Sequence, residues 1–170
     1  MKKIIWCKKC VLPNTRPNLK INKFGICNAC ENSEIKKPWK KKFKELKKII
    51  KKNKTKANYH DCIIPVSGGK DSTWQVSKCL SLNLKPLAVT WRPHSRTEIG
   101  KKNLENLINL GIDHIDVSIN PRIEKKILLK TFKKKGSTAI SMHLGIFNIP
   151  LIIAKKFKIP LIVWGENSAS

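Results

Sequence analysis

The sequence predicts an α/β protein, a doubly wound parallel sheet preceded by a small cysteine-bearing module and a lysine-dense helix. Three observations carry this. The run Asp61 to Val66 leads directly into Ser67-Gly68-Gly69-Lys70-Asp71-Ser72 and then into a helical pattern. Beyond it, short apolar strands alternate with amphipathic helices, the mark of parallel strands joined by helical crossovers. Ahead of it stand two Cys-x2-Cys pairs with sixteen residues between them. The chain divides accordingly into residues 1–33, 34–57 and 58–170.

With 170 residues there is room for one sizeable core and one accessory module. The longest apolar run, Ile149 to Ala154, is interrupted by Pro150 and is too short to cross a bilayer. Cys7 and Lys8 break the apolar start before a signal peptide forms, so a cytoplasmic protein with no membrane partner is expected. A net charge of +25 attracts polyanions. Arginine, which bidentate phosphate and base recognition favours, is nevertheless confined to Arg16, Arg92, Arg96 and Arg122. Lysine, isoleucine and asparagine are what A/T-rich codons encode, so the charge weighs little toward a nucleic-acid partner.

Cys7, Cys10, Cys27 and Cys30 form the spacing pattern of a four-thiolate, zinc-ribbon-like site. Each pair sits on a tight turn, and Asn22 to Gly25 supplies turn residues before the second. Without a secretory signal, free thiolates are expected rather than disulfides. Four cysteines leave no open coordination position, so a bound Zn2+ is structural; an iron–sulfur cluster uses the same ligands.

From Glu34 to Lys56 the chain is dense in lysine, with Ile35, Trp39, Phe43, Leu46 and Ile50 at spacings of three or four. That is an amphipathic helix starting near Pro38, its apolar stripe expected to pack on the main domain. Asn53 to Asn58 reads as a polar linker. Strands are then expected at 61–66, 86–91, 112–119 and 160–164, and helices at 73–81, 99–110, 121–134 and 144–157, the last bent at Pro150. His60, His94, His114 and His143 show no metal-ligand spacing, and Cys62 and Cys79 read as buried small residues.

The loop at 67–72 has the composition of a phosphate cradle. Gly68 and Gly69 let the backbone turn tightly enough to aim N–H groups at one anion, and the following helix N-terminus adds partial positive charge. Ser67 and Ser72 offer hydroxyl donors, Lys70 a cation, and Asp71 a ligand for Mg2+ or a brace for the loop. In a parallel sheet ligands sit beyond the carboxyl ends of the strands. This groups the loop with Val89 and Thr90, as backbone contacts for adenine, and with Gly165, Glu166 and Asn167, where Glu166 is placed for magnesium or substrate.

Ser-Gly-Gly-Lys-Asp-Ser resembles the PP-loop of the ATP pyrophosphatases, an adenine nucleotide alpha hydrolase-like fold. That likeness implies ATP, Mg2+ and transfer of AMP to a substrate oxygen. The wider set, Cys7 to Pro17, Phe24 to Cys30, Trp39, Tyr59 to Cys62 and Ile159 to Asn167, resembles the N-acetyl sugar amidotransferases of surface-polysaccharide synthesis. The family resemblance implies adenylation of an acetamido oxygen on an N-acetyl sugar or nucleotide-sugar. Ammonia from a glutaminase subunit then displaces AMP, with a synthase-like partner as ammonia channel. It also implies that Asp71 and Glu166 act in catalysis, and that 170 residues are an N-terminal fragment whose sheet stops early. A tRNA-modifying thiolase or lysidine-type ligase shares the loop, but thiolases need further cysteines beyond it, where only Cys79 lies. A remnant that binds zinc and nucleotide without turnover is the third reading.

Overall fold

The computed structural model describes residues 3–34, 38–54 and 59–165. The chain forms two compact units, Met1–Lys47 and Lys48–Ser170.

In the first unit hydrogen bonds lace the two cysteine turns together. The Cys7 N–H donates to the Leu12 carbonyl at 2.9 Å, and the Lys8 N–H donates to the Gly25 carbonyl at 2.8 Å. Asn22 Oδ1 accepts from the N–H groups of Phe24 and Ile26, which sets the turn before the second pair. Helix α1, Asn28–Glu34, then carries Cys30 inward. Leu19, Ile21 and Ile26 pack around Cys7, Cys27 and Cys30 as a small core.

Helix α2, Trp39–Lys54, begins just after Pro38. None of its residues is buried; Ile50 is partly buried against the sheet core, whereas Trp39 is 65% exposed. Lysines at 40–42, 44, 47 and 48 flank the apolar positions along the helix. The helix includes Asn53 and Lys54, and the rest of the expected linker, 55–58, lies outside the described residues.

The second unit is an α/β layer structure. Strands β1 (Cys62–Pro65), β2 (Pro86–Trp91) and β3 (Asp113–Val117) are parallel in the order β1-β2-β3. Cys62 pairs with Pro86 and Leu87 with Asp113. Residues 160–164, expected as a strand, flank β1 on its other side through a single parallel bridge, Ile63 with Ile162. The Ile63 N–H donates to the Leu161 carbonyl and the Val163 N–H to the Ile63 carbonyl, both at 2.9 Å. The chain therefore runs outward from β1 to β3 and returns beside β1, which puts the reversal of strand order at the end of β1.

Alternation along the strands feeds two cores. Cys62, Ile64 and Val66 face Val76 and Cys79 of α3 (Lys70–Ser81) and Leu104 and Leu107 of α4 (Glu98–Ile108). Ile63, Leu87 and Val89 face Ile149 of α6 (Ala139–Phe157). Helix α5 (Pro121–Lys135) packs beside α6. Cys62 and Cys79 are buried.

Two helices start several residues earlier than expected. Helix α3 begins at Lys70 rather than Thr73, because Gly69 caps it and its carbonyl accepts from the Thr73 N–H at 3.0 Å. Helix α6 begins at Ala139 and continues through Pro150. Its 19 residues are long and apolar enough to cross a bilayer by length and composition, but Ile149, Ile153 and Ala154 cover the sheet.

Candidate functional site

A cleft of about 560 Å³ opens at the carboxyl ends of β1 and β2. Ser67, Asp71 and Ser72 line one side, Val89, Thr90 and Trp91 the floor, and Gly165 lies on the wall with Trp164. Gly68 has φ +81°, and a Cβ there would come within 3.0 Å of the Leu104 backbone nitrogen, so this turn requires glycine. Gly69 is in extended conformation and its N–H donates to Ser67 Oγ at 3.4 Å. Ser72 Oγ donates to the Gly69 carbonyl at 3.1 Å. The loop is thus folded on itself, with Lys70, Asp71 and Ser72 forming the first turn of α3. Their N–H groups are among those a helix start leaves without intrahelical partners. Lys70 is exposed and is not among the cleft-lining residues. Glu166 and Asn167 lie outside the described residues.

Several cleft residues had no role in the sequence reading. Gln75, buried on α3, donates through Nε2 to the Val163 carbonyl at 2.7 Å and ties the returning segment to the loop helix. A polar residue on the inward stripe Ser72-Gln75-Val76-Cys79 was the available sign of it. Arg96 lines the cleft and is held bidentately by Asp116, Nη1 to Oδ2 at 2.9 Å and Nη2 to Oδ1 at 3.0 Å. Arg92 Nε lies 3.8 Å from the same carboxylate. No spacing rule connects Arg96 to Asp116, since they meet only through the β2–β3 pairing.

Beneath the floor, Thr90 Oγ1 donates to the Val66 carbonyl at 3.0 Å and lies 2.9 Å from His114 Nε2. A hydroxyl has one hydrogen, so His114 donates from Nε2. Burial first of all holds its pKa below the ordinary value, with Asp116 acting against the shift and Arg96 with it. The other described imidazole pairs are His60 with Asp113 at 2.8 Å and His94 with buried Glu124 at 2.5 Å.

In the first unit the Sγ atoms of Cys7, Cys10, Cys27 and Cys30 all lie within 4.8 Å of one another. Cys7 to Cys30 is 3.9 Å and Cys10 to Cys27 is 3.5 Å. Tetrahedral thiolates at zinc–sulfur distance stand about 3.8 Å apart, so the residues fit a single ion. Cys7 Sγ accepts from the N–H groups of Lys9 and Cys27, and Cys27 Sγ from that of Cys30. Backbone donors, Cys10 first and then Cys27 and Lys9, bring the Cys7 thiol down to about 6 against burial. Its neighbours share fewer donors, and Cys30 is pushed up to about 12, first by the Cys10 thiol and then by burial. A thiol with a lowered pKa among crowded thiols is a donor set suited to a cation.

No family model matches the chain, and no curated protein does. Solved structures do. NMN synthetase from Francisella tularensis aligns with TM-score 0.53 and 17% identity, over 69% of this chain and 50% of that one. NH3-dependent NAD synthetase from Campylobacter jejuni, in complex with the nitrate ion, aligns with TM-score 0.51 and 17% identity, over 78% and 58%. The likeness is one of fold. The α/β class with a parallel sheet expected from the sequence is the class observed, and the chain spans half or slightly more of the length of these synthetases.

Proposed function

We propose that the protein is an ATP-dependent, ammonia-using ligase of the PP-loop type, whose substrate is the acetamido group of an N-acetyl sugar or nucleotide-sugar. The observation that carries the reading is the junction of the Gly68-Gly69 turn, the start of α3 and the strand-order reversal at one cleft. Support for ammonia use comes from a neighbour of this fold named as NH3-dependent NAD synthetase. Among the described residues no cysteine lines the cleft, which favours nitrogen over sulfur transfer.

In this reading the acetamido oxygen attacks the α-phosphorus of ATP, the bond to the bridging oxygen breaks, and pyrophosphate leaves. N–H groups of the first turn of α3, with Ser67 and Ser72, stabilise the charge developing on it. Ammonia then adds to the imidate carbon, a proton is lost, and the carbon–oxygen bond breaks to release AMP and the acetamidino sugar. Val89 and Thr90 meet adenine, and Lys70 adds positive charge at the loop. Mg2+ bound through Asp71 would neutralise phosphate charge. Gly165 contributes to the nucleotide crevice, and Glu166 acts in catalysis on magnesium or substrate. The four cysteines hold a structural Zn2+. Ammonia comes from a glutaminase partner through a synthase-like channel protein, in the cytoplasm.

The test is product analysis with ATP, ammonium and a panel of nucleotide-linked N-acetyl sugars. Sugar-dependent formation of AMP and pyrophosphate in equal amounts is expected. Release of ADP and orthophosphate, or pyrophosphate release that requires tRNA instead of sugar, sinks the proposal.

A further inference from the structure

We infer that the outer face of α6 docks the protein peripherally on an anionic lipid bilayer. Leu144, Phe147, Leu151 and Ile152 are each between 47% and 61% exposed. Leu144, Phe147 and Leu151 follow at spacings of three and four, so they form one stripe along the helix. By the same periodicity Leu144 and Leu151 lie on the side away from Met142 and Ile146, which line the cleft, while Phe147 stands one turn from cleft-lining Pro150 and packs its ring on Trp164, 5.4 Å between centroids. One helix thus carries a cleft wall on one side and, at Leu144 and Leu151, an exposed apolar surface on the other.

The charge around the stripe identifies what covers it. Every exposed charged residue from 121 to 158 is basic. Its single carboxylate, Glu124, is buried and paired with His94. Lys155 and Lys156 stand at the carboxyl end of α6. At its amino end stand Lys133, Lys134 and Lys135, because α5 ends there and only residues 136–138 join the two helices. The apolar stripe is therefore bracketed by lysines at both ends of a helix roughly 28 Å long. A second copy would set lysines against lysines in either a parallel or an antiparallel pairing.

The rim is lysine and not arginine, apart from Arg122. Lysine keeps its strongly hydrated ammonium in water while its stem lies along apolar surface, which suits headgroup depth. Desolvated protein interfaces favour arginine and are depleted in lysine. Neither the apolar stripe nor the lysines alone gives firm attachment, but together they supply the two signals that peripheral binding needs. A surface-bound helix does not have to span, so the short apolar run noted in the sequence does not bear on it.

Co-sedimentation of the full chain with vesicles tests this. Pelleting is expected with mixed phosphatidylcholine–phosphatidylglycerol vesicles and not with phosphatidylcholine alone, and it should fall as salt rises. Lys155→Gln with Lys156→Gln should weaken partition roughly twenty-fivefold, at about fivefold per lysine. Leu144→Gln with Leu151→Gln, both at exposed positions, should weaken it about tenfold. Equal pelleting with neutral vesicles overturns the inference. So does partition that salt abolishes but the leucine changes leave intact, since that is the general attraction of a basic chain. A dimer seen by analytical ultracentrifugation that Leu151→Gln dissolves, with no vesicle partition, assigns the face to a second copy instead.

Discussion

Gly145 of α6 lies against the indole of Trp91, so closely that a Cβ at residue 145 would sit 2.7 Å from Trp91 Cδ1 and 2.8 Å from Nε1. Trp91 ends β2 and lines the cleft, so the missing side chain of a helix residue sets where the cleft wall stands. Glycine inside a helix costs about 1 kcal/mol relative to alanine. Here the close packing offsets that cost.

Gly145→Ala should therefore destabilise the protein, by about 1–3 kcal/mol, although it raises helix propensity. The displaced ring should also lower ATP affinity. Thermal unfolding and calorimetric titration measure both effects, and a variant more stable than the parent would show that the ring has room to move.

The two loop glycines should behave differently. Gly68→Ala combines a left-handed backbone with a contact to the α4 backbone that cannot give way, and should cost about 2 kcal/mol or more and abolish ATP binding. Gly69 has ordinary φ, and its nearest neighbour would be Ser67 Oγ at 3.4 Å. Gly69→Ala should fold normally, while Gly69→Val should block close approach of phosphate. Equal melting temperatures for Gly68→Ala and the parent would contradict the turn geometry.

His114 links stability to pH. Its folded pKa is depressed below the ordinary 6.5, so the folded state holds fewer protons than the unfolded chain in that region. The stabilisation is full above the unfolded value and is lost as pH falls below it. His114→Gln keeps an N–H donor for Thr90 and removes the titration, so its stability should fall less between neutral and mildly acidic pH. Denaturant midpoints across that range decide the matter; parallel losses in both proteins would exclude His114 as the source.

The thiol cluster makes two predictions. Purified protein should contain about one zinc per chain, and Cys27→Ser should remove it. In metal-free protein Cys7 should ionise near 6, below the usual 9.0, because backbone N–H groups donate to its sulfur. The stability it contributes is therefore present above the usual value and lost as pH falls through about 6. Thiolate ultraviolet absorbance should show a step near that pH that disappears in Cys7→Ser, and a first ionisation only above neutral pH would contradict the hydrogen-bonding pattern around Cys7.

Features resting on local spacing were legible in the chain itself. The cysteine pairs, the glycine turn after an apolar strand and the alternation of strand and helix each depend on residues close in sequence, where periodicity and turn chemistry act directly. They were enough for the α/β class and for most helix bounds. What tertiary structure alone decided rests on contacts between distant residues. Arg96 meets Asp116 because β2 and β3 pair, Gln75 reaches Val163 because the chain returns beside β1, and Trp91 finds Gly145 because α6 crosses that strand. The start of α3 at Lys70 is of the same kind, since Gly68 can hold its turn only where α4 leaves room for a residue without a side chain. Local sequence sets which elements form, but packing between them sets which side chains share a cleft.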